Sequence, residues 1–279
     1  MFHRAVAGVA LAVVSVSGCA PLAEGPGAGA PGRPDPAALV ELAPTGKIRF
    51  GVVFAPAPST FFVAKDAGGQ PRGVTVELAN GLARRLGTPV EFMVAPNSGE
   101  LTDALANGAI DAAFMPVDDE RRKRLDFGPN YFVGRNTYLV RAGSDIRTMA
   151  DVDRPEVRVV GISGTTTIRS AARVLKTARV SPATSVDDAL EMLRSGKADA
   201  FALTHDTLPP LATRVPGSRI LDGDFNRVYV AIAVQKNRPA ALAYVTAFME
   251  DAKASGAVRQ AFDNAGFKDA EVAPRSGGR

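Results

Sequence analysis

Apolar positions along the chain switch repeatedly between a period of two and a period near 3.6, so strands and helices alternate. Residues 47–54 (KIRFGVVF) form a β-rich run that ends in a Pro-rich loop. Val76, Ala79, Leu82, Ala83 and Leu86 then recur at helical spacing, with Thr75 as the expected cap and Gly87 as the stop. Val90, Phe92 and Val94 alternate as in a half-buried strand. Ser98 is the expected cap of a short helix carrying Leu101, Ala104 and Leu105, and residues 109–115 (AIDAAFM) follow as a strand. This βαβαβ series predicts a parallel sheet covered by helices. A second series follows: strands at 137–140, 157–162 and 198–203, and helices at 167–176 and from Ser185 to Gly196. A long strand at 227–234 (RVYVAIAV) returns. The last long helix, with Asn237 as expected cap, buries Leu242, Val245, Phe248, Met249 and Ala252; a short one carries Val258, Ala261 and Phe262.

The ends of the chain follow neither period. Residues 1–4 are a short basic start, and residues 5–16 (AVAGVALAVVSV) are apolar throughout. Twelve residues are too few to span a bilayer, which takes about 20, but they match the apolar region of a signal peptide. Val16-Ser17-Gly18-Cys19 resembles a bacterial lipobox, so 1–18 is expected to be a cleaved leader and Cys19 a lipidated N-terminus. Residues 20–42, rich in Ala, Gly and Pro, are expected to be a tether. Residues 269–279 are expected to be a tail without core-forming pattern. The expected location is the periplasm or cell surface, with the lipid at Cys19 as membrane anchor.

Composition narrows the function. A length of 279 residues fits about two domains. The single Cys excludes an intramolecular disulfide and a cysteine-based metal cage. Two His leave little for zinc or haem, so no metal or cofactor is expected. The net charge of +4, from 33 basic and 29 acidic residues spread along the chain, gives no footprint for nucleic acid.

A set of short motifs resembles the extracellular solute-binding proteins of family 3, the receptors of polar amino acid ABC importers. They are Gly46-Lys-Ile-Arg-Phe-Gly51, Gly73-Val-Thr-Val-Glu-Leu78, Ala109-Ile-Asp-Ala112, Glu120-Arg121 with Leu125-Asp126-Phe127 and Pro129-Asn130-Tyr131, Ser163-Gly164-Thr165-Thr166, and Gly196-Lys197-Ala198-Asp199-Ala200. Each is weak alone; their order and spacing carry the resemblance. It implies an α/β fold of two lobes, the type II periplasmic binding protein fold, each lobe a sheet flanked by helices, joined by two hinge strands near 136–140 and 227–234. One lobe would comprise 43–137 plus 227–268, the other 138–226. The implied function is capture of a small carboxylate-bearing or amino-acid-like solute in the cleft by hinge closure, by a monomer that delivers to permease subunits in the inner membrane. Catalysis is not expected.

The resemblance also implies site residues. Arg121 stands six residues before Phe127, where the family keeps the arginine that grips a ligand carboxylate, and a guanidinium fork suits that task. A solvated charged helix face (Glu120-Arg-Arg-Lys-Arg124) is the alternative. Ser163, Gly164, Thr165 and Thr166 join a strand to a helix, where amides and hydroxyls can meet an anion; plain capping by Thr165 or Thr166 is the alternative. The family's Asp for the solute amine falls on Thr204, and Asp206 can serve only with a two-residue slip. Asp118 is expected to cap the turn at 119–124, or else to orient Arg121 or hold a cation. Phe61 is an available aromatic, as lid or as core. Pro116 stands where the family often offers a hydroxyl. Two other readings remain: a ligand-sensing lipoprotein without an importer, and a dehydratase-like enzyme using His205, Asp206 or Asp118 as acid or base. No transglycosylase domain is expected, because the chain ends at residue 279.

Overall fold

The computed structural model describes Met1 and residues 35–276; the expected leader, Cys19 and most of the tether lie outside the described residues. In chain order the elements are α1 (Pro36–Leu42), β1 (Ile48–Val53), β2 (Ala64–Lys65), β3 (Pro71–Arg72), α2 (Val74–Leu86), β4 (Val90–Ala95), α3 (Ser98–Ala106), β5 (Ala112–Pro116), α4 (Asp119–Arg122), β6 (Leu125–Val140), β7 (Arg158–Ile162), α5 (Thr166–Val174), β8 (Arg179–Ala183), α6 (Val186–Arg194), β9 (Ala200–Thr204), α7 (Leu208–Ala212), β10 (Arg219–Ile220), β11 (Asn226–Gln235), α8 (Pro239–Ala254) and α9 (Ala257–Asn264).

One nine-stranded sheet runs β4-β1-β5-β11-β6-β9-β7-β8, with β10 beside β6. Its two ends repeat one design. β1 lies parallel between β4 and β5, and β7 lies parallel between β8 and β9. The antiparallel pair β11 and β6 joins them, from Asn226↔Asn136 to Gln235↔Leu125, with register shifts between Val230 and Ala233. β6 then continues to pair with β9 over residues 136–140. It therefore belongs to both lobes, and 16 residues of it form one strand where the sequence pattern indicates only 137–140. Gly128 and Pro129 interrupt the alternation, which hides the first part of the strand from a period-two reading.

Apolar packing follows the same plan. α2, α8 and α9 cover one face of the first lobe over Phe50, Phe114, Tyr131 and Phe262, whose rings contact in series at 5.1, 5.2 and 6.1 Å. A second cluster runs from Leu101 and Met115 through Leu139 to Leu190 and Phe201, so it includes side chains of both lobes. Such clusters supply the main stabilisation, about 1.5–3 kcal/mol for each large side chain fully buried.

Several boundaries differ from expectation. α2 starts after Gly73, whose φ of 142° suits glycine; Thr75 is buried at the helix's second position. Asn97, not Ser98, caps α3 by accepting from the Glu100 amide. Arg238, not Asn237, precedes α8, and its side chain makes no cap. Residues 36–42, read as tether, form α1, with Ala38 and Leu42 fully buried and Glu41 accepting the Ala241 amide at the start of α8 (2.8 Å). The tail is also partly used: Val272 bridges to Phe132, and the Ala273 amide donates to the Tyr131 carbonyl. Among the described residues no helix is long and apolar enough to cross a membrane.

Candidate functional site

β5 ends at Pro116, and the chain turns directly into α4. Asp118 caps that helix as expected, its Oδ1 accepting the Arg121 amide at 2.9 Å. The cap fixes a short helix whose third residue, Arg121, points across to the second lobe rather than to solvent. Arg121 is 2% exposed, which excludes the solvated charged face. Nη1 donates to the Pro116 carbonyl (2.7 Å) and to Thr166 Oγ1 (3.2 Å). Nη2 donates to Ser98 Oγ (2.7 Å) and to the Gly164 carbonyl (3.1 Å). All four acceptors are neutral, and Nε has no partner. Burial pulls the guanidinium pKa down to about 9, an effect that nearby Asp118 opposes and Arg169 reinforces.

The second lobe meets this arginine through the loop between β7 and α5. Thr165 caps α5, donating to the Ile162 carbonyl and accepting from the Ile168 amide, so its hydroxyl is spent on the turn. Thr166, one residue on, faces the seam. Its hydroxyl donates to Asp118 Oδ2 (2.5 Å), which also takes a charged bond from Arg169. Burial pushes the Asp118 pKa up, but bonds from Thr166, the Arg121 amide and Arg169 outweigh it and hold the carboxyl below its usual range. Gly164, at φ 69°, lies against Gly99: a Cβ on Gly164 would stand 2.9 Å from the Gly99 Cα, so only glycines permit this approach. Ser163 is exposed and only its amide is engaged, by the Ala183 carbonyl.

A second crossing lies just after β9. Asp206 Oδ2 accepts the Thr60 amide (3.1 Å) and hydroxyl (2.5 Å), while Tyr131 donates to the Thr60 carbonyl (2.7 Å). Asp206 Oδ1 is buried without a partner. Burial drives this carboxyl up in pKa, and the Thr60 bonds only partly offset that. Thr204 turns away, to Asn136 Oδ1 (3.2 Å). Phe61 is half-buried against Phe62 and both neighbouring apolar clusters. The structure thus brings together Arg121, Gly164, Thr166 and Asp118 at one seam, places Asp206 at a second crossing, and leaves Ser163, Thr165, Thr204 and Phe61 without a bond to Arg121.

The family model described as bacterial extracellular solute-binding proteins, family 3, matches residues 48–265. The chain belongs to that family. A glutamine-binding protein of Geobacillus stearothermophilus is 25% identical over 194 residues, 68% of this chain and 72% of that one. A crystal structure of a mutant of ArgBP from T. maritima superposes with a TM-score of 0.72 at 26% identity, covering 81% of this chain and 98% of that one. The architecture is therefore the type II periplasmic binding protein fold. A membrane-bound lytic murein transglycosylase F of Maricaulis maris is 32% identical over 173 residues, 59% of this chain but 37% of that protein.

For this family 3 chain, sequence reasoning passed over four seam residues. Ser98 has the pattern of a cap, yet its hydroxyl accepts from Arg121. Thr60, in the Pro-rich loop, carries no periodic signal. Asn97 donates to the Thr184 carbonyl (3.3 Å) on the far side. Arg169 could have been found: it stands three residues after Thr166, one helical turn along the same face.

Proposed function

We propose that this chain is the solute-binding lipoprotein of an ABC-type importer, taking up a small amino-acid-like solute through its carboxylate and closing its lobes over it. The observation that carries the reading is the Arg121 guanidinium, buried at the seam with only neutral acceptors. A buried charge is costly unless it is paired, and a solute carboxylate supplies the missing counter-charge in bidentate form. Asp206, with one buried oxygen unpartnered, suits the complementary end, an ammonium. A zwitterion satisfies both groups and touches both lobes, so it favours the closed arrangement by its differential contacts. Ser98 and Thr166 complete the carboxylate seat by turning their hydroxyl protons to the solute, as the Gly164 carbonyl gives up its bond from Arg121. No acid–base step is required: Asp118 and Asp206, the carboxylates weighed as catalysts, are both engaged in cross-lobe hydrogen bonds.

Cys19 would carry the lipid, residues 20–34 would form the tether, and the closed monomer would dock on permease subunits. Thermal unfolding of the full chain against a panel of L-amino acids and simple carboxylates tests the reading, since a ligand of the native state raises the melting temperature. A rise with amino acids and no turnover of the solute is expected. A melting temperature that none of the amino acids raises contradicts it.

A further inference from the structure

We propose that Asp118 is a specificity-determining residue: its carboxylate holds the second-lobe groups beside Arg121, so a solute enters by displacing it, and a second anionic group on the solute is rejected. The inference rests on Arg121 as the carboxylate seat. Thr166 has one proton to give, and it goes to Asp118 Oδ2 at 2.5 Å. The same oxygen carries the ion pair with Arg169, and Oδ1 is held by the Arg121 amide. The Thr166 oxygen meanwhile accepts from Arg121 at 3.2 Å and from Arg169 at 3.5 Å. One aspartate of the first lobe therefore binds the hydroxyl and the cation that the second lobe presents to the seam. The backbones of Gly99 and Gly164 are already in contact there, so a solute gains room at Arg121 only as these bonds part. A notch of about 230 Å³, lined by Asp118, Asp119 and Glu120 on one side and Thr166, Arg169 and Arg173 on the other, opens onto this latch.

Once displaced from Thr166, Asp118 remains tied to α4 through its cap, so its negative charge stays at the mouth of the seat. A solute whose side chain is neutral meets no penalty; one bearing a second carboxylate faces a like charge across a poorly solvated gap. The latch thus both closes the lobes and sorts solutes by charge.

Asp118→Asn tests this cleanly, because Asn is an equally good helix cap and removes only the charge. L-Glutamine and L-glutamate, which differ by an amide against a carboxylate, are the probes. Calorimetry on the full chain should show L-glutamine preferred at least tenfold, and the preference should fall at least tenfold in Asp118→Asn. An unchanged or increased preference overturns the proposal, as does tighter binding of L-glutamate to the natural chain. The latch has its own readout, independent of either probe. Spin labels on Glu91→Cys and Arg179→Cys, with Cys19→Ser, should report one interlobe distance, in a single narrow distribution, without added solute. Asp118→Asn and Arg169→Gln should each lengthen it; a distribution identical in all three overturns the proposal. Failure of the Arg121 seat would appear elsewhere, as equal binding in Arg121→Ala, while the distance measurement still judges Asp118.

Discussion

Asp111 and Asp199 each precede a strand, β5 or β9, and each draws in an arginine from the strand alongside. Arg49 on β1 gives Asp111 its amide, Nε and Nη2 at 2.9, 3.0 and 2.6 Å. Arg158 on β7 does the same for Asp199 at 3.0, 2.9 and 2.9 Å, and Arg141 adds a fourth bond at 2.8 Å. The two Asp-Ala motifs of the sequence are therefore strand clamps, one per lobe, and not solute contacts. Asp111→Ala leaves the Arg49 guanidinium and amide without their partner, and should cost about 2–3 kcal/mol, read by denaturant unfolding. Asp199 also predicts a pH effect. Burial pushes its carboxyl up, but bonds from Arg158 and Arg141 prevail and bring it to about 2. A depressed carboxylate stabilises the fold above its unfolded value, near 4, and loses that contribution as the pH falls toward the folded one. The stability gap between the natural chain and Asp199→Asn should be constant above about pH 5 and close between about pH 4 and pH 2. Urea midpoints across that range measure it.

Among elements, regular periods were legible and their ends were not. α6 and α9 bury the side chains their apolar stripes indicate, because a helix of this kind has one way to face a sheet; on α2, Val74 and Leu78 are buried and Val76 is not, and on α8, Leu242 is only partly buried. The cap of α3 falls on Asn97 and not on the adjoining Ser98, since spacing alone does not say which hydroxyl or amide turns inward, while α2 and α8 start at Gly73 and Arg238 with no side-chain cap. α1 was missed for a different reason. Its seven residues start inside a Pro- and Ala-rich stretch, and only its contact with α8 makes it worth forming. That contact has a measurable part: α8 lacks a side-chain cap of its own, and Glu41 provides one from outside. Glu41→Ala should destabilise by about 1 kcal/mol, and hydrogen exchange should speed up at the first turn of α8 while α5 and α6 keep their protection.

At the level of the whole molecule, the two lobes meet through groups far apart in sequence: Arg121 with Gly164 and Thr166, Thr60 with Asp206, Asn97 with Thr184. Arg121 and Thr166 could be anticipated from motif spacing. Their partners could not, because nothing in a local pattern states which loop of one lobe will face which turn of the other. Thr60 sits in an aperiodic loop, and Ser98 satisfies its cap-like pattern while its hydroxyl goes elsewhere. The account depends on one point above the rest, that the guanidinium of Arg121 is kept buried for an anion brought from outside. Isothermal calorimetry of the natural chain and of Arg121→Ala with L-glutamine tests this most directly. Loss of about 1.5–3 kcal/mol, roughly 10- to 150-fold in Kd, is the expected result for removal of a charge-assisted contact; the same affinity in both proteins would contradict it.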